Sequence, residues 1–285
     1  MCSSDLERIV KRYNLDYIAF QEDNFFVDKE RVKKICLGII KRGLKFEWFA
    51  ECRADYFKAG HISEEIWELA KKAGLHTLTI GAESGSELSL EIMKKDIKLE
   101  DTINAARICN AKGIIPAFSF IMGMPGEEKK EIYKTVDFIC TLIKICPSMC
   151  SGINVFFPYP KCELTRGLVE KGLLKEPTTL SGWVKENDEL MGMYINLYSK
   201  KNINRPWQKN FWLIQNISYY INLSMRYSEP EIRKFLKERN IRYYPYIFFR
   251  FLAKERMKHK FFSLTIDKWI YEKVNHIYSI FKHEV

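Results

Sequence analysis

The 285 residues, 47% of them hydrophobic, suffice for one barrel-sized α/β domain or for a smaller domain with an extension. No run reaches the roughly 18 apolar residues of a membrane span, and the start, MCSSDLERIV, lacks the basic and apolar regions of a secretory signal. The net charge of +10 sits in the tail: residues 199–285 hold 18 Lys and Arg against 7 Asp and Glu, and residues 1–198 hold 28 against 29, a shift that places a domain boundary near residue 199.

In chain order, SSDLERIVKRYN opens as a helix. Short β-rich runs follow at LDYIAF (15–20), LKFEWFAE (44–51), LHTLTIG (75–81), GIIPAFSFIMG (113–123) and INVFFPY (153–159). Helical stretches separate them. Val32, Ile35, Cys36, Ile39 and Ile40 recur at helical spacing. Ser63 caps SEEIWELAKKAG and Gly74 lies past its last turn, LEDTINAARICNAKG stops at Gly113, and EEKKEIYKTVDFICTLIKIC is the longest. This alternation predicts parallel strands, apolar on both faces, with helices packed outside. An open doubly wound sheet and a (β/α) barrel both fit, and in both ligands bind at the carboxyl ends of the strands.

Those ends carry Glu22, Asp23 and Asn24 after the first strand and Glu51, Arg53 and Asp55 after the second. GAESGS, with Glu83, follows the third, GMPGEE the fourth and PYPKCE the fifth. Any one of these reads as an ordinary polar turn; five at one rim read as a binding site. The opposite ends are bland apart from Cys146 and Cys150. The eight cysteines include no CxxC pair and the five histidines show no metal-ligand spacing, so the thiols read as reduced, in a cytoplasmic compartment, and not as a zinc site.

QEDNFF, FAECRADYF, TIGAESGS, FIMGMPGEE and FFPYPKCEL, in this order, resemble radical SAM enzymes over about residues 10–175, closest to the group with a cobalamin-binding domain. The resemblance implies a partial (β/α) TIM-like barrel lacking its first strand, over residues 1–198, followed by a basic helical extension over 199–285. It also implies S-adenosylmethionine (SAM) and a [4Fe–4S] cluster as cofactors, with cobalamin in the full-length protein. Glu22 and Asp23 match the position that receives the methionine amino group, and Arg53 is placed to pair with a carboxylate. Glu83, Ser84 and Ser86 match positions facing the ribose or methionine part, and Gly123, Pro125 and Gly126 match the loop packed near adenine.

The family's CxxxCxxC cluster motif is absent. Its strand and loop are expected upstream of Met1, leaving YIAF as an uncovered sheet edge prone to pairing. Cys146 and Cys150 have CxxxC spacing but lie at the opposite rim, Cys2 stands alone, and Cys162 replaces part of a family Gly-Thr. Two readings follow: a radical SAM enzyme fragment whose cluster ligands lie elsewhere, or a non-catalytic barrel remnant that binds a nucleoside or a protein partner.

In the tail, WQKNFWLIQNISYYINLSMRY and PEIRKFLKERN read as helices, RYYPYIFFRFLAKERMKHKFF mixes aromatics with cations, and DKWIYEKVNHIYSIFKHEV is amphipathic through Trp269, Ile270, Val274, Ile277 and Ile280. Three uses compete: a solvated helical cap, a surface for anionic membrane suited to a lipid-like substrate, and nucleic-acid binding. No RNA-binding motif is visible, and nucleic acid ranks last.

Overall fold

The computed structural model describes residues 3–58, 60–185, 209–226, 229–239 and 243–282. Helix α1 (Ser3–Tyr13) leads into β1 (Tyr17–Ala19), α2 (Lys29–Lys41), β2 (Glu47–Arg53), α3 (Glu64–Lys72) and β3 (Leu75–Glu83). Two helices, α4 (Glu87–Met93) and α5 (Leu99–Lys112), precede β4 (Ile115–Met122). Then come α6 (Lys129–Ile145), β5 (Cys150–Val155) and α7 (Glu163–Glu170). The tail supplies α8 (Phe211–Met225), α9 (Glu229–Lys237), α10 (Tyr244–His259) and α11 (Ile266–Lys282).

All strand pairs are parallel, and the spatial order β1-β2-β3-β4-β5 follows the chain. A doubly wound sheet reverses its strand order at a switch point; this one does not, and it curls as half a (β/α) barrel. The β1 strand is an edge of the described sheet.

The strands are not apolar on both faces. In β2, Trp48, Ala50 and Cys52 are buried while Glu51 and Arg53 are half-buried; in β3, Leu78, Ile80 and Ala82 are buried while Thr77, Thr79 and Glu83 are not. The physical reason is the half-barrel itself. Its outer face lies under helices, whereas its concave face is open and tolerates polar side chains with period 2.

The outer layer is strongly aromatic near the first strands. Phe20 and Phe25 pack on Trp48 with centroids 5.4 Å away in each case, and Phe57 stacks on Trp67 at 4.8 Å. The Trp48 indole donates to the Ala73 carbonyl (3.0 Å), which satisfies the polar atom of a fully buried ring.

The boundary expected near residue 199 lies outside the described residues. Beyond it the apolar core is continuous: Phe211, Ile214, Ile217, Tyr220 and Ile221 of α8 join the same cluster as the strands. Helix α8 lies beside β5, and α10 packs on α8 and α6. The mixed aromatic-basic stretch is helical as α10, with Pro245 in its first turn, where the missing N–H costs nothing. Of the expected apolar stripe in α11, Trp269 and Ile270 are exposed and Val274 is half-buried, the side chains of Ile277 and Ile280 lie outside the described residues, and the buried residue is Tyr271, which the stripe did not include. The fifth strand starts three residues earlier than the sequence suggests and ends at Val155, so Phe156–Tyr159 are already rim loop.

Candidate functional site

Alternate residues of each strand end reach the open face of the rim. Asp23, Asn24, Glu51, Arg53, Glu83 and Lys95 meet there around a cleft of about 270 Å³. Three of the expected site residues, Asp23, Arg53 and Glu83, are thus brought together.

Glu83 is set by an irregular strand end. The register between β3 and β4 shifts between Gly81 and Glu83, and Glu83 has φ +62°. A non-glycine residue there bears a strain of about 1–2 kcal/mol. Its carboxylate folds back over Gly81, where a Cβ would lie 3.0 Å from Glu83 Oε1. Lys95 Nζ pairs with that oxygen at 3.0 Å, and the Glu83 side chain is 13% exposed.

Arg53 is already forked by a carboxylate of its own chain. Nε donates to Asp55 Oδ1 at 2.9 Å, and Nη2 donates to the Lys95 carbonyl at 3.0 Å. The hydrogen bond to Asp55 raises the guanidinium's pKa further. Arg53 and Glu83 therefore share residue 95 as a strut. Asn24 also lines the cleft, and its Oδ1 is buried with no hydrogen-bond partner.

The other expected residues lie elsewhere. Glu22 is outside this cleft, held by both guanidinium nitrogens of Arg31 (Nη1–Oε1 2.8 Å) and lowered in pKa by that pairing. Ser84 and Ser86 are fully buried. Ser84 Oγ meets Thr135 Oγ1 at 3.1 Å and accepts from the Ser86 amide at 3.1 Å. Ser86 Oγ caps α4 by accepting from the Ser89 amide (3.3 Å) and donates to Glu131. Gly123, Pro125 and Gly126 line a different, larger cavity of about 1260 Å³, between their loop and α7, with Glu163, Arg166 and Lys209.

Sequence reasoning placed Glu127 at the rim without its partners and missed Glu131, and these two carboxylates hold the rim together. Glu127 accepts from the Gly123 amide (2.6 Å) and from Ser89 Oγ (2.8 Å), and burial raises its pKa. Glu131 is lowered by the Ser86 hydroxyl and by Lys134. Only the Glu127 position, in GMPGEE, stood out in the sequence. Lys95 was also missed, because it follows α4, a seven-residue helix too short for periodicity to reveal.

Most of the described thiols are buried or half-buried. Cys36, Cys52, Cys109 and Cys146 are buried, and Cys162 caps α7 by accepting from the Thr165 amide at 3.5 Å. Cys150 is exposed at the start of β5, the opposite end from the cleft. Among the described residues no three His, Cys, Asp or Glu side chains are grouped to hold a metal ion.

A family model described as the radical SAM superfamily matches residues 4–139. A relative named an uncharacterized methyltransferase, from Pyrococcus horikoshii, is 27% identical over 209 residues, covering 73% of this chain and 42% of its own length. An anaerobic magnesium-protoporphyrin IX monomethyl ester cyclase from Rubrivivax gelatinosus is 24% identical over 132 residues, 46% of this chain and 23% of the enzyme. The chain thus spans less than half the length of these two relatives. In fold it is similar to OxsB, a cobalamin-dependent SAM radical enzyme solved with aqua-cobalamin and SAM, at a TM-score of 0.53 and 17% identity, over 97% of this chain and 45% of that one. The sequential half-barrel and the polar rim thus coincide with the segment, residues 4–139, that matches the model of the radical SAM superfamily.

Proposed function

We propose that this chain supplies the SAM-binding half-barrel of an enzyme of the radical or methyl-transfer kind, and that the cleft between Asp23, Arg53, Glu83 and Lys95 receives SAM. The observation that carries the reading is a cleft of mixed charge at the strand ends, lined by Asp23, Arg53, Glu83 and Lys95. SAM presents an ammonium, a carboxylate, a sulfonium and a ribose diol. The two carboxylates, Asp23 and Glu83, suit its cationic groups and hydroxyls; Lys95 and Arg53 suit its carboxylate.

A [4Fe–4S] cluster does not fit the cysteines of this chain. CxxxCxxC is absent from the sequence, and among the described residues no three His, Cys, Asp or Glu side chains are grouped to hold a metal ion. In this reading its ligands come from residues outside this sequence. The missing motif also leaves room for a second reading, a half-barrel that binds a nucleoside and catalyses nothing.

Calorimetric titration of the 285-residue chain with SAM, and separately with adenosine, tests both. The first reading expects SAM to bind more tightly than adenosine, and Glu83→Ala to weaken SAM at least about tenfold by removing a buried charged partner. Equal affinity for SAM and adenosine would favour the nucleoside reading. No SAM binding, or wild-type affinity in Glu83→Ala, would overturn the assignment of this cleft.

A further inference from the structure

We propose that the turn between α10 and α11 is an interfacial anchor that seats this protein on an anionic lipid bilayer. Within the turn Phe261 and Leu264 are 48% and 53% exposed, and in the first turn of α11 Ile266 and Trp269 are 58% and 55% exposed. A contiguous exposed apolar patch on a protein surface marks an interaction site.

These side chains are presented by a fixed scaffold. Phe262 is buried between the rings of Tyr133 and Tyr220, and Met257 and Tyr271 are buried on either side. Arg256 donates to the Phe261 carbonyl at 2.7 Å and pairs with Asp267 at 2.6 Å, tying the two ends of the turn.

The electrostatics commit the occupant. Residues 243–275 contain seven Lys and Arg against three Asp and Glu. Arg256 offsets Asp267, Lys258 offsets Glu255 and Lys260 pairs with Asp137, which leaves Arg250, Lys254, Lys268 and Lys273 against Glu272 in the count. The surface therefore presents net positive charge around apolar side chains, the composition of a segment that lies in an anionic lipid interface. Proteins that bind single-stranded nucleic acid stack bases on aromatics along a charged groove. Here the outermost side chains include Leu264 and Ile266, on which no base stacks.

The anchor is also placed to matter. Phe262 packs on Tyr133, and Lys260 pairs with Asp137 at 2.7 Å, both in the first half of α6, which begins directly after the rim loop 123–128. A bilayer under this turn would lie beside the end of the half-barrel where the clefts open.

The test is cosedimentation of the full chain with vesicles of phosphatidylcholine alone and with 30% phosphatidylserine. The wild type is expected to pellet with the anionic vesicles, at least about tenfold more strongly than with the neutral ones, and less as NaCl rises from 0.1 to 0.5 M. The variant Phe261→Ser/Leu264→Ser/Trp269→Ser should lose at least about tenfold in partitioning while keeping the wild-type circular dichroism melt. Should that variant melt early, Lys258→Gln/Lys273→Gln, at two exposed cations, should still weaken anionic binding about tenfold. Wild-type protein left in the supernatant, or variants that pellet as well as wild type, would overturn the proposal. So would salt-sensitive retardation of an oligonucleotide without vesicle binding.

Discussion

Gly85, the second glycine of GAESGS, marks the tightest contact of the rim, and adding one methyl there has a calculable cost. A Cβ at Gly85 would stand 2.5 Å from Phe138 Cβ, 2.7 Å from Thr135 Cα and 3.1 Å from the Lys134 carbonyl oxygen. Carbon atoms prefer about 3.5–4.0 Å, so α6 would have to retreat by about 1 Å. Two of the three atoms are helix backbone, which no rotamer change can move. Overpacking of this kind costs about 1–3 kcal/mol. The retreat also stretches the bonds from Thr135 Oγ1 to the Gly85 amide (3.1 Å) and to Ser84 (3.1 Å), at about 1 kcal/mol together. Gly85→Ala should therefore lose about 3 kcal/mol, or roughly 6–12 °C in Tm at this chain length. Gly167→Ala, inside α7 with no atom within 4 Å of the new Cβ, is the control; helix propensity makes it neutral or about 1 kcal/mol stabilising. Urea unfolding of both variants decides. A Gly85→Ala midpoint equal to that of Gly167→Ala would refute the steric cause and return this glycine to an ordinary turn.

Ser86→Ala removes the cap of α4 and the hydroxyl donor to Glu131, and should cost about 2 kcal/mol by urea unfolding. Glu127 has a folded pKa raised above 4.5, chiefly by burial. Its contribution is therefore fully present at and below about pH 4.5 and is lost as pH rises through the folded value; wild-type stability minus that of Glu127→Gln should fall from pH 4 to pH 7, and a pH-independent difference would contradict this. Burial pushes the Cys36 thiol up to about 12 and the Cys52 thiol higher still. A thiol reagent at pH 8 should label exposed Cys150 in the native protein and reach Cys36 and Cys52 only after denaturation, which mass spectrometry of the labelled peptides reads directly.

The strand-helix alternation was legible because hydrophobic periodicity and caps carry it: Ser63 and Gly113 stand where the sequence places them, as an N-cap and a left-handed C-cap. The rim was legible as a location, because polar and charged groups recur after each of five apolar strands and parallel topology gathers those ends on one side. The roles at the rim were less so. Ser84 and Ser86 flank Glu83 in sequence, yet their partners Thr135 and Glu131 lie 45 or more residues away on α6. No local pattern announces a side-chain bond across that distance. Glu22 shows the same limit, since only the fold reveals that Arg31 on the next helix takes its carboxylate. The exposure of Trp269 and Ile270 was hidden for another reason: an amphipathic stripe says that a face is apolar, not what covers it.

The split between buried serines and the cleft-facing glutamate explains how a strained residue persists where it does. Glu83 occupies the left-handed region at φ +62°, and such a residue stays only where its surroundings over-determine it. On one side Lys95 holds its carboxylate and Arg53 braces Lys95 through the carbonyl. On the other, the Ser84 amide turns back onto the Ala82 carbonyl at 2.7 Å. Next, Thr135 takes both the Ser84 hydroxyl and the Gly85 amide, and Glu131 takes Ser86. Helix α6 thereby acts on the cleft without entering it. Each polar residue in GAESGS has a use, but only Glu83 offers its side chain to the cleft, and the others fix the direction in which that carboxylate points. Preorganisation of this kind is worth building where a bound group must meet a charge at a defined position. A turn serving only to reverse the chain has no need of a braced carboxylate, two buried serines and a glycine pressed against a helix.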